Sequence, residues 1–217
     1  MFAATLFLGA CSSNAQNQAP VAADSGSMSP VGQGNMDNMM KSGGMNHSMG
    51  MDLGPADADY DLRFIDAMIP HHQGAVVMAQ DALKKSKRPE IKQLANTIIK
   101  AQENEISEMQ QWRQAWYPKA PSTPMAWQAG MNHMMAMSPE QKQSMMMSMD
   151  LGAADADYDL RFINAMIPHH KAAVVMAEDV LKKSKRPETK TLAQNIISSQ
   201  QAEIKQMTAW RKAWYKQ

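Results

Sequence analysis

The sequence has only one cysteine, Cys11, among its 217 residues. One thiol makes neither a disulfide framework nor a cluster of thiolate ligands. Neither sign of charge is in excess, since 22 Lys and Arg stand against 21 Asp and Glu with a net charge of +1. This balance gives no support to a nucleic-acid partner or to an anionic membrane surface as a partner.

Motifs for catalysis are also missing. Di-iron and di-manganese bundles use Glu-x-x-His in two helices, and that motif occurs nowhere in this sequence. The His-Glu-x-x-His motif of zinc hydrolases and a Gly-rich phosphate loop are absent too. We therefore predict that the protein is not an enzyme. A ferritin-like di-metal oxidoreductase and a helical scaffold without a metal are the alternatives.

Methionine is the residue type in excess, with 23 copies, most of them outside the positions that a helical core needs. Thioethers suit soft metals such as Cu(I). They also avoid loss to disulfides in an oxidising compartment, unlike thiols. The composition therefore favours a soft-metal site built from Met and His.

Residues 1–11 have the apolar stretch and small residues of a secretory signal, and they are too few to span a bilayer. Residues 8–11, Leu-Gly-Ala-Cys, resemble a bacterial lipobox. We expect a periplasmic or extracytoplasmic protein that is lipid-anchored at Cys11 and meets the membrane only through that anchor. Because a basic n-region is missing, we expect the true start to lie upstream of Met1.

A long duplication organises the rest of the chain. Residues 52–117 recur at 150–215 with an offset of 98 and no gap, and only 19 of these 66 positions differ. We assign the domains as a signal segment 1–11, a flexible Met-rich arm 12–51, a first unit 52–117, a Met-rich linker 118–149 and a second unit 150–217.

Each repeated unit predicts a helical hairpin. In the first unit, apolar residues recur near every 3.6 positions over about 57–85 and again over about 89–117. Asp57 or Asp59 is the expected cap of the first helix. Pro70 should kink that helix or begin a new one. Two such hairpins predict an all-α, ferritin-like four-helix bundle with a flexible arm and a flexible linker.

The motif Met-Ile-Pro-His-His occurs once in each unit, with a further methionine downstream. Helical spacing brings these side chains to one face, which is a suitable surface for a soft metal. The second helix of each hairpin adds a methionine and a glutamate within its apolar stripe. The predicted metal ligands of the two units are Met68, His71, His72, Met78, Met109, Met166, His169, His170, Met176 and Met207.

A glutamate inside an apolar stripe needs a partner, because an unpaired buried charge is costly. Antiparallel pairing of the helices about a turn near Arg88 predicts that His71 faces Glu105 and that His169 faces Glu203. Met68 and Met166 should similarly face Met109 and Met207. The predicted role of both glutamates is to orient an imidazole rather than to bind the metal.

Met and His also cluster in the arm and in the linker. We expect both stretches to be mobile and to bind Cu(I) weakly. The candidate ligands there are Met45, His47, Met49, Met51, Met131, His133, Met135 and Met137.

Residues 61–79 and 98–109 resemble the DUF305 family of exported proteins, some of which are periplasmic copper binders. The resemblance covers both repeats but not the Met-rich linkers. It implies a ferritin-like helical arrangement and supports the ligand set named for the two hairpins. The second unit departs from the first at Asn164, Lys171 and Ala172, and Lys171 is expected to weaken the second site by repulsion.

We therefore predict an exported protein that binds copper, as Cu(I) and also Cu(II), with silver as a surrogate. It would sequester copper or pass it to an efflux or delivery protein. Binding at histidine should weaken below about pH 6, where free imidazoles protonate, while capture by thioethers persists.

Overall fold

The computed structural model describes residues 52–217. The predictions for the signal segment 1–11 with Cys11, and for the arm 12–51 with Met45, His47, Met49 and Met51, lie outside this range. The described residues form five helices and one two-stranded sheet. In order these are α1 Tyr60–Lys85, α2 Pro89–Trp116, β1 Met125–Gln128, β2 His133–Ala136, α3 Pro139–Met146, α4 Tyr158–Lys183 and α5 Pro187–Tyr215.

Helix α1 is continuous through Pro70, so the prediction that a new helix begins there is wrong. A proline inside a helix removes one backbone donor, and here the helix tolerates that loss. Asp59 is the N-cap residue but makes no side-chain capping bond. The carboxylate of Asp57 instead accepts the amide of Asp59 at 3.0 Å and pairs with Arg63 at 2.9 Å. Helix α2 begins with Pro89, where the missing N–H costs nothing.

The two predicted hairpins are α1 with α2 and α4 with α5, and they meet through α1 and α4. The Tyr60 hydroxyl donates to Asp179 at 2.8 Å, and the Tyr158 hydroxyl donates to Asp81 at 2.8 Å. These bonds join equivalent residues of the repeats, so α1 and α4 run antiparallel about a pseudo-twofold axis. The all-α prediction is confirmed.

The apolar core consists of two clusters at opposite ends of the bundle. The first core cluster joins the start of α1, around Phe64, with the end of α4, around Val180. The second joins the end of α1, around Ala79, with the start of α4, around Phe162. Each cluster therefore draws residues from both hairpins, and neither hairpin buries its apolar face alone.

The linker was expected to be flexible, but part of it is ordered. Strands β1 and β2 pair antiparallel, with Trp127 opposite Met134. Helix α3 follows, and Ser138 and Gln141 form a capping box at its start. Helix α3 is 8 residues long and ends at Met146. The strand pair was not predicted, because we interpreted the methionine-rich stretch as a mobile linker that binds Cu(I) weakly.

Among residues 52–217, no helix combines the length and the apolarity that crossing a bilayer requires.

Candidate metal centre

Four histidines form the central layer of the bundle, between the two core clusters. They are the pairs His71–His72 on α1 and His169–His170 on α4, and none is more than 1% exposed. The rings of His71 and His169 pack against each other across the pseudo-twofold axis, with centroids 3.9 Å apart. His72 and His170 lie farther out, each 6.3 Å from the ring of its neighbour. The two predicted histidine pairs thus share one layer.

Three of these rings have one polar partner each. Nε2 of His72 lies 2.6 Å from Oε2 of Glu105, and Nε2 of His170 lies 2.7 Å from Oε2 of Glu203. Nε2 of His169 lies 3.1 Å from the carbonyl oxygen of Met146. Because a carbonyl oxygen only accepts, His169 donates through Nε2, and its Nδ1 then carries the lone pair.

The remaining ring nitrogens are unpaired. Within residues 52–217, both ring nitrogens of His71 and Nδ1 of His72, His169 and His170 are buried without a hydrogen-bond partner. Leaving such groups unsatisfied costs about 1–3 kcal/mol each. A neutral imidazole nitrogen in this state is suited to binding a metal ion.

Burial also changes the acidity of the central pair. Burial, together with the smaller effect of the neighbouring His170, lowers the pKa of His169 to about 3. The pKa of His71 falls well below its usual value for the same reason, with the other three histidines contributing. The expected loss of binding below about pH 6 assumed ordinary imidazoles. The lowered pKa values of His71 and His169 instead predict that these two imidazoles stay neutral, and able to bind, to lower pH.

The six predicted helical methionines are all buried, with at most 1% exposure. The three methionines of one hairpin do not all lie in the same core cluster, however. Met68 and Met109 of the first hairpin lie in the first core cluster together with Met176 of the second. Met166 and Met207 lie in the second cluster together with Met78 of the first hairpin. Each core cluster thus holds three of the predicted helical thioethers, drawn from both hairpins, and the first cluster also contains the linker residues Met137 and Met145.

The predicted helix register was wrong by one residue. It placed His71 opposite Glu105 and His169 opposite Glu203, whereas the contacts are made by His72 and His170. The estimate considered one hairpin at a time. Packing of His71 against His169 directs those rings toward the other hairpin and leaves the next residue on each helix to face the glutamate. The pairing of Met68 with Met109 and of Met166 with Met207 in common clusters agrees with the prediction.

The contribution of the linker to this layer was missed. Helix α3 ends against α1, where a Cβ at Gly74 would overlap the carbonyl oxygen of Met146. Met145 is buried in the first core cluster. The sequence did hold a signal, because the second repeat has Ala172 where the first has Gly74. A glycine in only one of two matched helices indicates a close approach there.

The predicted metal ligands of the linker do not form one cluster. Met131 and Met135 are 56% and 41% exposed, and Met137 is buried in the first core cluster. His133 is exposed, and its Nδ1 lies 3.0 Å from the carbonyl oxygen of Met131. Lys171 is exposed as well, so water screens the repulsion expected from it.

Within the described range, no group of three or more His, Cys, Asp or Glu side chains is arranged to hold a metal ion. A hard-metal site of the di-iron type needs such a group. The donors that do meet here are imidazoles and thioethers. Their chemistry fits Cu(I) or Ag(I) far better than iron, manganese or magnesium.

The sequence matches the DUF305 family, a domain of unknown function, over residues 10–113 and 61–211. CopM in its Cu(I)-bound form is 41% identical with a TM-score of 0.55, and the match covers 71% of this chain and 97% of that one. CopM in an Ag-bound form is 39% identical with a TM-score of 0.56 and the same coverage.

Two further matches are more distant or shorter. A DUF305 fragment from Deinococcus radiodurans is 27% identical with a TM-score of 0.55, over 71% of this chain and 96% of that one. An uncharacterised protein of Acanthamoeba polyphaga mimivirus is 47% identical over 49 residues, which are 23% of this chain and 32% of that protein. The chain thus spans about a third of the length of that curated relative.

Proposed function

This chain belongs to the DUF305 family, and we propose that it binds copper without turnover, in order to sequester the ion or pass it on. The observation that carries the proposal is the central layer of four buried histidines with unpaired nitrogens, between two core clusters that each hold three of the buried helical methionines. Solved structures of the similar protein CopM with Cu(I), Cu(II) and silver bound support copper as the proposed ion.

In this proposal the helical histidines and methionines are the ligands of the structured sites. Neutral imidazole and thioether donors stabilise Cu(I), and imidazoles also accept Cu(II). Glu105 and Glu203 accept the Nε2 proton of His72 and His170, which leaves Nδ1 of each ring free to bind the ion. The linker residues Met131, His133 and Met135 are exposed ligands of lower affinity. The methionines of the arm are also ligands of lower affinity.

The cellular setting is part of the same proposal. Export through the signal-like segment 1–11 and anchoring at Cys11 would place the protein outside the cytoplasm, where thioethers outlast thiols. A copper-efflux or copper-delivery protein would be the recipient of the ion. The di-metal oxidoreductase alternative gains no support from the donors that residues 52–217 bring together.

The experiment replaces the six buried helical methionines by leucine. Met→Leu nearly conserves volume and costs less than about 1.5 kcal/mol per site in a core, so the bundle should remain folded. Cu(I) affinity, measured by competition with a colorimetric Cu(I) chelator, should weaken at least tenfold, or by about 1.4 kcal/mol. The substituted residues are Met68, Met78, Met109, Met166, Met176 and Met207.

The matched control replaces Met131 and Met135, which are exposed, by leucine. This variant should keep the tight sites and lose only weakly bound copper. If the six-site variant holds Cu(I) as tightly as the control does, the helical thioethers are not ligands. If the unaltered chain retains iron with oxidase activity instead of copper, the oxidoreductase alternative replaces the proposal.

A further inference from the structure

A cleft runs along the outer side of α1, beside the chain that leaves α3. Its volume is about 450 Å³, which exceeds the roughly 30 Å³ of a water molecule many times over and admits a hydrated ion. Helix α1 contributes Val77, Met78 and Asp81, and the segment after α3 contributes Met149 and Asp150.

The cleft has a thioether at its rim and another at its floor. Met149 is 47% exposed, whereas Met78 is 1% exposed. Met78 belongs to the second core cluster, which also contains Met166 and Met207. The cleft therefore joins an exposed thioether to a buried one that belongs to the same core cluster as Met166 and Met207.

The charged groups of the cleft are less suited to hold the ion than its sulfurs are. The carboxylate of Asp81 accepts the Tyr158 hydroxyl at 2.8 Å and pairs with Lys85 at 3.0 Å. The carboxylate of Asp150 accepts the amide of Gly152 at 2.8 Å. Lys84 adds a positive charge to the lining. A hard divalent cation thus finds carboxylates already engaged, while a soft cation finds thioethers.

The pseudo-symmetric cleft beside α4 differs. It is lined by Val175, Glu178 and Asp179 from α4 and by Trp127 and Gln128 from the linker hairpin. Among the described residues that line it there is no methionine, and Met176, the counterpart of Met78, does not reach it. These two pseudo-symmetric clefts therefore differ in the soft donors that line them.

We propose that the cleft between Met149 and Met78 is the entry port for a soft monovalent cation, Cu(I) or Ag(I), on its way to the buried sites. Met149 binds the ion first. Met78 then replaces Met149 as the ligand, and this exchange of thioethers moves the ion inward. No electron is transferred in either step. This inference rests on the proposed function and assigns the route that the ion takes.

The test measures the rate at which the full chain takes up Ag(I), which undergoes no redox change. Trp210 and Trp214 pack against the second core cluster, so quenching of tryptophan fluorescence in a stopped-flow instrument reports arrival of the heavy ion. M149L should slow association by about tenfold, within the one to three decades that such rates span among variants. Equilibrium stoichiometry should stay unchanged.

Two equivalent valines supply a steric test that leaves every sulfur in place. Val77 lines the entry cleft and is 50% exposed, and Val175 lines the other cleft and is 54% exposed. V77F should slow uptake and release of Ag(I) by the same factor, whereas V175F should change neither. M134L is the matched control for M149L, because Met134 lies on β2, outside this cleft, and is not among the predicted ligands.

Unaltered rates of Ag(I) uptake in M149L and V77F, with normal silver stoichiometry, would show that the cleft is not the entry port. The proposed function would stay intact. A slower rate in V175F than in V77F would place the entry on the other side and overturn the port as well. A chain that binds no silver at equilibrium would overturn the proposed function and the port together.

Discussion

At the scale of single residues, the central histidines lower the free energy of unfolding of the metal-free protein. Five of their ring nitrogens are buried without a partner in the described part of the chain, and apolar side chains of similar size would avoid that cost. His71 is the extreme case, since neither of its nitrogens is paired. Such strain is commonly retained where function requires it. A metal ion would supply the missing partner.

Acidity gives a test of this burial in the metal-free protein. His169 has a pKa of about 3 when folded, against 6.5 for the ordinary group. Between those values the unfolded chain binds more protons than the folded chain, so the free energy of unfolding falls as pH falls. For His169 alone the loss reaches about 2 kcal/mol at about pH 5. Urea denaturation at a series of pH values between 7 and 4 measures it.

H169Q removes the titrating group and should flatten this dependence. H133Q is the control, because His133 is exposed. A pH dependence that is equally steep in H169Q and H133Q would mean that the folded protein accommodates a charged His169.

At the scale of elements, the linker docks mainly onto the first hairpin, and the repeats differ where it does so. Oδ2 of Asp66 accepts the amide of Met125 at 2.8 Å while the same carboxylate pairs with Arg113. Its counterpart Asn164 accepts only a single bond from Arg211 at 3.3 Å. Gly74 admits the end of α3, and its counterpart is Ala172. Two of the differences between the units thus have a common structural cause.

The substitution G74A tests this docking. Helix propensity alone favours alanine by about 1 kcal/mol. The added Cβ would overlap the Met146 carbonyl, so we expect net destabilisation of about 1–3 kcal/mol, the usual cost of overpacking. Chemical denaturation measures this change, and amide hydrogen exchange in α3 should show lower protection.

The reverse change in the second repeat, A172G, is the matched control. It should cost about 1 kcal/mol through helix propensity alone and leave exchange in α3 unchanged. If G74A stabilises the protein as propensity predicts, α3 is not held against α1.

At the scale of the whole molecule, the hairpins are joined by pairs of equivalent contacts. Besides the two Tyr–Asp bonds, Arg186 lies over the ring of Trp116 at 4.2 Å, and Arg88 lies over the ring of Trp214 at the same distance. Each arginine stands at the turn of one hairpin and stacks on the end of the other. Cation–π contacts of this kind are worth about 0.5–2 kcal/mol each.

Because these contacts come in symmetric pairs, two copies of a single hairpin can make the same contacts with each other. A chain consisting of residues 150–217 is expected to form a symmetric dimer, since its central histidines and apolar face would otherwise be exposed. Analytical ultracentrifugation measures the mass. Substituting R186A in this fragment should weaken dimerisation, because one change removes both stacking contacts.

A fragment that stays folded as a monomer would contradict this expectation. So would a dimer whose association is insensitive to R186A.

Much of the site could be predicted because its elements are local and repeated. The helix bounds follow from apolar spacing and from Pro89 at a helix start, and the ligand types follow from one motif that occurs twice. The prediction that His71 faces Glu105 was wrong because helix rotation depends on the other hairpin. The β-hairpin at 125–136 was missed because its methionines resemble a low-complexity linker.

The sequence by itself determined the duplication, the helices, the residue types of the candidate metal centre and the family of the chain, since these depend on local spacing and composition. Only the tertiary structure decided which side chains meet. Antiparallel packing of α1 on α4 stacked His71 on His169 and mixed the methionines of the two hairpins in each cluster. Contacts between segments about a hundred residues apart depend on how two apolar faces fit, and no local pattern encodes that fit.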